Sequence, residues 1–346
     1  MPTDIQKMHD SIAGLPAQCE TAWKAGSAIR VPASWSDTQH VVLAGMGGSG
    51  LAGHIVASSF ADTLAVPVVL LNDYHLPAFV GQKTLVGCLS YSGNTEETLS
   101  VYREARARRT RRIVLTTGGT LARYAKEDGV PCYFFPVLLS SSLWPRIAGG
   151  YLLTGLLGML SRVGLLTIGS KEFERALAHL RRVTAENVQS VPLGRNRSKT
   201  IARELVGRIP VVVGSADRAG NLHVWRNCFN ETAKTFSCWF ALPELNHHLL
   251  EGLGHPREAR RLLRWVGVEP KGSVLRLRYR LTKKIVEKHG MRWIDVGLAG
   301  SSTLEQILEL LCLSYFSCLY LGIEQGENPS PTPWVDYFKK QLERAR

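Results

Sequence analysis

A chain of 346 residues and 38.2 kDa is large for one domain and comfortable for two. Its 45% hydrophobic and 21% charged residues exclude a disordered tail protein and a disulfide-stapled miniprotein. The 42 Lys and Arg against 29 Asp and Glu leave +13 and a pI near 9.6, which raises nucleic acid or an anionic small molecule as a partner without choosing between them.

The first segment, to about residue 36, has an amphipathic helical pattern and no long apolar core, so it is not expected to be a signal peptide. Seven scattered cysteines without a CxxC pair read as free, mostly buried thiols of a reducing cytoplasm. Two apolar stretches could pass for membrane spans. Leu152–Leu166 is broken by Arg162, and Leu304–Ile323 carries Glu305, Gln306 and Glu309. Both are expected to be buried core helices, with no membrane as partner.

From residue 40 a pattern of short apolar run, glycine-rich turn and helix repeats, as in a parallel sheet. Strands are predicted at His40–Ala44, Pro67–Leu71, Thr84–Leu89, Ile113–Thr117 and Cys132–Phe135. A charged helical stretch, about 170–205, leads to a second such half with strands at Ile209–Gly214, Ser237–Leu242, Val274–Arg278 and Arg292–Val296. Its helices are predicted near 218–235, 255–267, 281–290 and 303–323. The fold class is therefore α/β, with two parallel sheets flanked by helices, and ligands are expected beyond the carboxyl ends of the strands.

Two loops lie where that rule puts a ligand. Gly45-Met46-Gly47-Gly48-Ser49-Gly50 can turn backbone N–H groups, notably around Gly47, Gly48 and Ser49, toward an anion at a helix start. By letter it also fits the G-x-G-x-x-G dinucleotide fingerprint, and Asn72-Asp73 stands near the expected acidic position, so a nicotinamide cofactor is a rival reading. The second loop favours a phosphate monoester. Ser90-Tyr91-Ser92-Gly93-Asn94-Thr95 sets the hydroxyls of Ser90, Ser92 and Thr95 around a glycine before a helix. Simple capping of that helix would need only one hydroxyl.

The strings MGGSG and SYSGNTEET resemble the sugar isomerase (SIS) family of phosphosugar-binding domains. The similarity runs over nearly the whole chain to the bifunctional phosphoglucose/phosphomannose isomerases, through Trp144-Pro145-Arg146, Asn230-Glu231-Thr232-Ala233-Lys234, Pro243-Glu244-Leu245-Asn246-His247-His248, and Pro331-Thr332-Pro333 followed by Lys339. This resemblance implies an N-terminal SIS domain over 1–165, a helical linker over 166–205 and a C-terminal SIS-like isomerase domain over 206–346. It also implies interconversion of glucose 6-phosphate and mannose 6-phosphate with fructose 6-phosphate, through ring opening and a cis-enediol(ate), by a cytoplasmic homodimer.

Such a reaction needs an acid/base pair for ring opening, one base for proton transfer, and a cation for the enediolate. The resemblance makes Glu231 the enediol base, although a helical glutamate at this spacing could equally pair with Lys234. It gives ring opening to His247, reaching in from the neighbouring subunit, and to Lys339. His248 stands where the family often has Asn, so either imidazole could face the sugar. Thr332 would line the site near the reacting carbons, its small hydroxyl leaving room for both C2 epimers. Arg146, after a Ser-rich stretch, is the cation expected beside the enediolate. No metal-ligand spacing occurs, and neither metal nor cofactor is expected. The arginines at 103, 106, 108, 109, 111 and 112 lack the aromatic interleaving of a nucleic-acid surface and read as a solvated helix end. The alternative function is a non-catalytic phosphosugar-binding or regulatory SIS protein, which would not need Glu231, His247 and Lys339 together.

Overall fold

The computed structural model describes residues 3–135 and 144–345. Two amphipathic helices, α1 (Thr3–Ala13) and α2 (Leu15–Ala28), precede the first sheet. That half then runs β1 (His40–Ala44), α3 (Gly47–Ser59), β2 (Val68–Leu71), β3 (Thr84–Leu89), α4 (Glu96–Ala107), β4 (Arg111–Thr116), α5 (Gly119–Glu127), β5 (Cys132–Phe134) and α6 (Gly149–Val163). The helices α7 (Ser170–Asn187) and α8 (Arg197–Leu205) follow. The second half runs β6 (Ile209–Ser215), α9 (Ala219–Glu231), β7 (Cys238–Leu242), the short α10 (Ala259–Leu262), β8 (Leu263–Val268), α11 (Ser273–Lys288), β9 (Arg292–Val296), α12 (Thr303–Glu324) and α13 (Pro333–Arg344).

The sheets are ordered β2-β1-β3-β4-β5 and β7-β6-β8-β9, and every pairing is parallel. Parallel strands have both faces covered by helices, which is why β3, Thr-Leu-Val-Gly-Cys-Leu, is buried along its whole length. Strand order reverses between β1 and β3 in the first sheet and between β6 and β8 in the second. Each reversal opens a crevice at the carboxyl edge. Near the second, buried Arg218 donates to Gln306 Oε1 at 2.5 Å, and Gln306 Nε2 donates to the Gly300 carbonyl at 2.9 Å. The glycine- and hydroxyl-rich turns lie at the first.

The two halves meet through α3 and α9. Gly220 makes the approach possible, since a Cβ there would lie 2.4 Å from the backbone of Ile55. One continuous core of apolar side chains then runs from α1 and α2 through α6 to α12. Both apolar stretches that resembled membrane spans are core helices. The α12 window is long and apolar enough to cross a membrane, yet 94% of it is buried by the protein itself. Among the described residues all seven cysteines are free, five buried and two half-buried.

The second half departs from the sequence reading in one place. Residues 274–278, expected as a strand, lie inside α11, and the strand is instead 263–268, where a helix was expected. Val-Leu-Arg-Leu-Arg-Tyr-Arg-Leu alternates with period two, which mimics a strand. The longer repeat decides, because Tyr279, Thr282 and Val286 fall on one buried helical face. In β8 the apolar run is interrupted by Arg264, which is nonetheless buried.

Much of the arginine run is structural. Arg112 and Arg106 reach Asp128 at 2.6 and 3.1 Å. Arg108 donates to Glu104 and to the Pro77 and Leu76 carbonyls, and Arg111 binds Asp37, Thr38 and the Trp35 carbonyl. These four guanidiniums staple the loops at the amino edge of the first sheet.

On α12 the fully buried Glu309 carboxylate accepts from His179 Nε2 at 2.8 Å, Arg197 Nη1 at 2.8 Å and the N–H groups of Ala299 and Gly300. Burial alone would raise its pKa, but the donors outweigh it and hold the carboxyl below its ordinary value. Its stabilisation is therefore present above the unfolded carboxyl pKa and is lost as pH falls through the lowered folded value. Replacing Glu309 with Gln keeps the shape and removes the charge. The expected loss is about 2 kcal/mol in urea unfolding at pH 7, and it should shrink as the pH is brought down through the carboxyl range; an unchanged midpoint would contradict this role.

Candidate active site

The site grows from the carboxyl edge of β1 and β3. Pairing of Ala44 with Cys88 brings the turn after β1 beside the turn after β3. Gly47 takes φ 50°, a left-handed conformation that suits glycine, as the chain swings from β1 into α3. Ser49 then ties the two loops, its Oγ accepting from the Tyr91 N–H at 2.9 Å. Within the second loop, buried Ser90 lies 2.8 Å from Thr95 Oγ1 and accepts the Gly93 N–H at 3.1 Å. Ser92 is exposed, and its Oγ accepts the Asn94 N–H at 3.2 Å. The three hydroxyls of the second loop thus divide: Ser90 and Thr95 shape the loop, and Ser92 faces outward.

Arg146 links these loops to the second half. It stands on a single turn, Pro145–Ile147, just before α6. A Cβ on Gly48 would lie 3.3 Å from Arg146 Cα, so the first loop packs directly on this turn. The guanidinium is 9% exposed. Its Nε donates to Thr232 Oγ1 at 3.1 Å and its Nη2 to the carbonyls of Pro329 and Ser330 at 2.7 and 2.6 Å. No carboxylate lies within ion-pair distance of it among the described residues. Burial lowers its pKa, partly offset by Glu231, Cys228 and Asp336. The Ser-rich stretch before it, Ser140–Ser142, lies outside the described residues.

Glu231 is the last residue of α9, one position before the Thr232 that holds Arg146. Burial raises its carboxyl above the ordinary range, opposed by the positive charges of Arg146, Lys234 and Lys339. Of the flanking aromatics, Phe229 is fully buried whereas Phe236 is exposed, so Phe236 adds little to that burial. Lys234 does not form the side-chain pair that its spacing allowed; its Nζ donates to the Glu231 carbonyl at 2.6 Å instead. Thr232 and Lys234 belong to the recognised string, but their contacts are with segments about a hundred residues away, which spacing could not reveal.

Thr332 caps α13, and Lys339 on that helix is exposed while lying within electrostatic reach of Glu231. His247 is different. It closes a short turn, Glu244–His247, after β7 and is exposed, and among the described residues its side chain makes no hydrogen bond or ion pair. Its neighbour His248 pairs with Glu244 at 2.9 Å. Within one chain, contacts and charges link the two loops to Arg146, Glu231, the segment leading to Thr332, and Lys339, and none of those links involves His247.

Asn72, next to the acidic position weighed above, is exposed, but its amide is engaged within the chain. Its Nδ2 donates to the Gly45 carbonyl at 2.5 Å and its Oδ1 meets His54 Nε2 at 3.1 Å. His54 packs edge-on against His223 of α9, ring centroids 4.7 Å apart. Burial pushes His223 down to about 4, with Arg226 and His54 adding to the shift. Two neutral imidazoles therefore join the helix behind the glycine loop to the helix that carries Glu231. Among the described residues no cluster of three metal-ligating side chains occurs.

Two all-parallel sheets flanked by helices, with these turns at the carboxyl edge of the first, define a pair of SIS-type domains. Residues 194–342 match the bacterial phospho-glucose isomerase C-terminal SIS domain. A hypothetical protein of Thermus thermophilus shares the fold, with a TM-score of 0.76 and 16% identity over 100% of this chain and 91% of that one. The bifunctional phosphoglucose/phosphomannose isomerase of Caldicellulosiruptor bescii is 31% identical over 97% of this chain and 98% of its own. The enzyme of the same name from Aquifex aeolicus is 32% identical over 88% of this chain and 90% of its own. The chain belongs to the bifunctional phosphoglucose/phosphomannose isomerase family.

The tie between the loops is open to test. Ser49→Ala leaves the buried Tyr91 N–H without its acceptor and is expected to cost about 1–3 kcal/mol in urea unfolding. Ser92→Ala, at an exposed hydroxyl, should leave the same midpoint unmoved. Equal effects of the two substitutions would contradict the division of labour between the serines.

Proposed function

We propose that this protein is an aldose–ketose isomerase interconverting glucose 6-phosphate and mannose 6-phosphate with fructose 6-phosphate. One observation carries the reading most: a buried guanidinium, with no ion-pair partner among the described residues, and a carboxylate of raised pKa stand together beside two loops of the kind that hold phosphate. Family membership supports the same class of substrate.

The phosphate would rest on the N–H groups of Gly47, Gly48 and Ser49 and on the outward hydroxyl of Ser92, with the start of α3 adding its positive end. His247 and Lys339 would open the sugar ring, one removing the proton of the anomeric hydroxyl and the other returning a proton to the ring oxygen. In the open chain, Glu231 as carboxylate takes the C2 proton of the aldose. The electron pair moves to form the C1–C2 double bond, the C1 oxygen becomes the enediolate, and the Arg146 cation opposes its charge. A proton passes from the C2 hydroxyl to the C1 oxygen, and as the C2 carbonyl forms Glu231 returns its proton to C1 to give the ketose. Thr332, beside the reacting carbons, leaves space for either C2 hydroxyl. The route consists of proton transfers and calls on no metal.

His247 would come from the partner subunit of a homodimer, a reading supported by its exposed place on a turn after β7, where its side chain makes no hydrogen bond or ion pair among the described residues. The exposed apolar side chains of α13, Trp334, Tyr337 and Phe338, also favour a second copy nearby. We read residues 1–165 and 206–346 as the two SIS domains joined by 166–205, and place the enzyme in the cytoplasm.

A coupled assay of fructose 6-phosphate formation from each aldose phosphate tests the function. Turnover of both is expected; tight binding without turnover would point to a non-catalytic phosphosugar-binding protein. Glu231→Gln should lower kcat by about 10³-fold or more while leaving substrate affinity within threefold. Because Glu231 must be ionised to act and burial raises its pKa, kcat/KM should fall as pH drops through a value above the usual glutamate range. A glutamine variant of near wild-type rate would remove Glu231 from this role.

A further inference from the structure

Lys234 sits where the helix bearing Glu231 ends. Its φ of 56° is left-handed, a conformation disfavoured for any residue with a side chain, and it turns the ammonium back over the helix end. There Nζ donates to the Glu231 carbonyl at 2.6 Å and also to the Pro331 carbonyl. The preceding carbonyls, Pro329 and Ser330, are taken by Arg146 Nη2. Three successive carbonyls are thus held by two cations. The next residue is Thr332, where α13 begins. This helix buries none of its own residues in the protomer, so little packing of its own fixes its position.

We propose that Lys234 is a positioning residue, latching segment 329–331 to the end of the base-bearing helix and so setting where Thr332 and Lys339 stand relative to Glu231. The role rests on the reading of Glu231 as the base. A charged lysine is a costly way to fill this place. Burial pushes its pKa down to about 8, and Arg146 pushes the same way, while Glu231 and Glu327 oppose the shift. At neutral pH the fold therefore works against the charge it holds. Between about pH 8 and the unfolded lysine value the unfolded chain binds the extra proton, so stability from this group rises with pH across that window. The latch runs the other way and loosens as the ammonium loses its proton.

The test compares Lys234→Met and Lys234→Arg with the wild type by three measurements: kcat and KM across pH, thermal midpoint, and amide hydrogen exchange at Ser330, Thr332 and Trp334. Lys234→Met should lose about tenfold or more in kcat with KM changed far less, and should exchange those amides about tenfold faster, with no fall in thermal midpoint. Lys234→Arg should recover kcat to within about threefold at pH 7 and move the alkaline decline from near 8 to higher pH. Unchanged exchange in Lys234→Met overturns the latch, whatever the rates. Faster exchange with unchanged kcat overturns the positioning role, as does a loss of activity that tracks a lower thermal midpoint and is not recovered by arginine. If the wild type itself turns over no phosphosugar, the isomerase reading fails, and the exchange comparison still decides the latch.

Discussion

The structure turns on one buried cation. Arg146 lies where the two halves of the chain face each other, and among the described residues no carboxylate lies within ion-pair distance of it. A guanidinium taken out of water in this way needs acceptors for its N–H groups. It finds them on the Thr232 hydroxyl and on the Pro329 and Ser330 carbonyls, so it draws three distant segments of the sequence to one point. The glycine loop packs against its backbone, Glu231 is adjacent to Thr232, and the segment leading to Lys339 is held by the same guanidinium. Without this charge at the seam, each part would be only a loop or a helix end.

The neighbouring charges follow from it. Burial disfavours the charged form of Arg146, Lys234 and Glu231 alike; Glu231 partly relieves the two cations and they partly relieve it, while Arg146 adds to the shift of Lys234. A cluster built for stability would have been apolar, or paired closely, as Glu309 is with His179 and Arg197. The contrast between the two buried clusters is informative. Around Glu309 the donors outweigh desolvation and the carboxylate is held ionised. Around Glu231 desolvation prevails and the carboxyl is held nearer to proton exchange, the property a base needs.

Much of this was legible in the sequence because parallel strands buried on both faces write themselves as short apolar runs ending in glycine or hydroxyl residues. The turns at 45–50 and 90–95 follow directly from that pattern. The pattern misled at 263–288, where Arg264 broke a genuine strand and alternating arginines imitated one in a helix. The individual roles of the hydroxyls were not legible, since Ser90 and Ser92 look alike in sequence and differ only in which way the turn points them. Nor could spacing show that Lys234 reaches the Pro331 carbonyl, or that Asn72 donates to the Gly45 carbonyl. Those are long-range hydrogen bonds, set by how the halves meet. The resemblance supplied Glu231, Arg146 and Lys339 as candidates, and the fold brings them within reach of one another while leaving His247 on a separate turn.

The central claim is that Glu231 shuttles a proton between C1 and C2 of a phosphosugar. Incubation with fructose 6-phosphate in deuterium oxide, followed by NMR of the recovered sugar phosphates, tests it directly. The account predicts deuterium at C1 of fructose 6-phosphate and at C2 of the aldose products with the wild-type enzyme, and none with Glu231→Gln. Deuterium incorporation by the glutamine variant at the wild-type rate would contradict it.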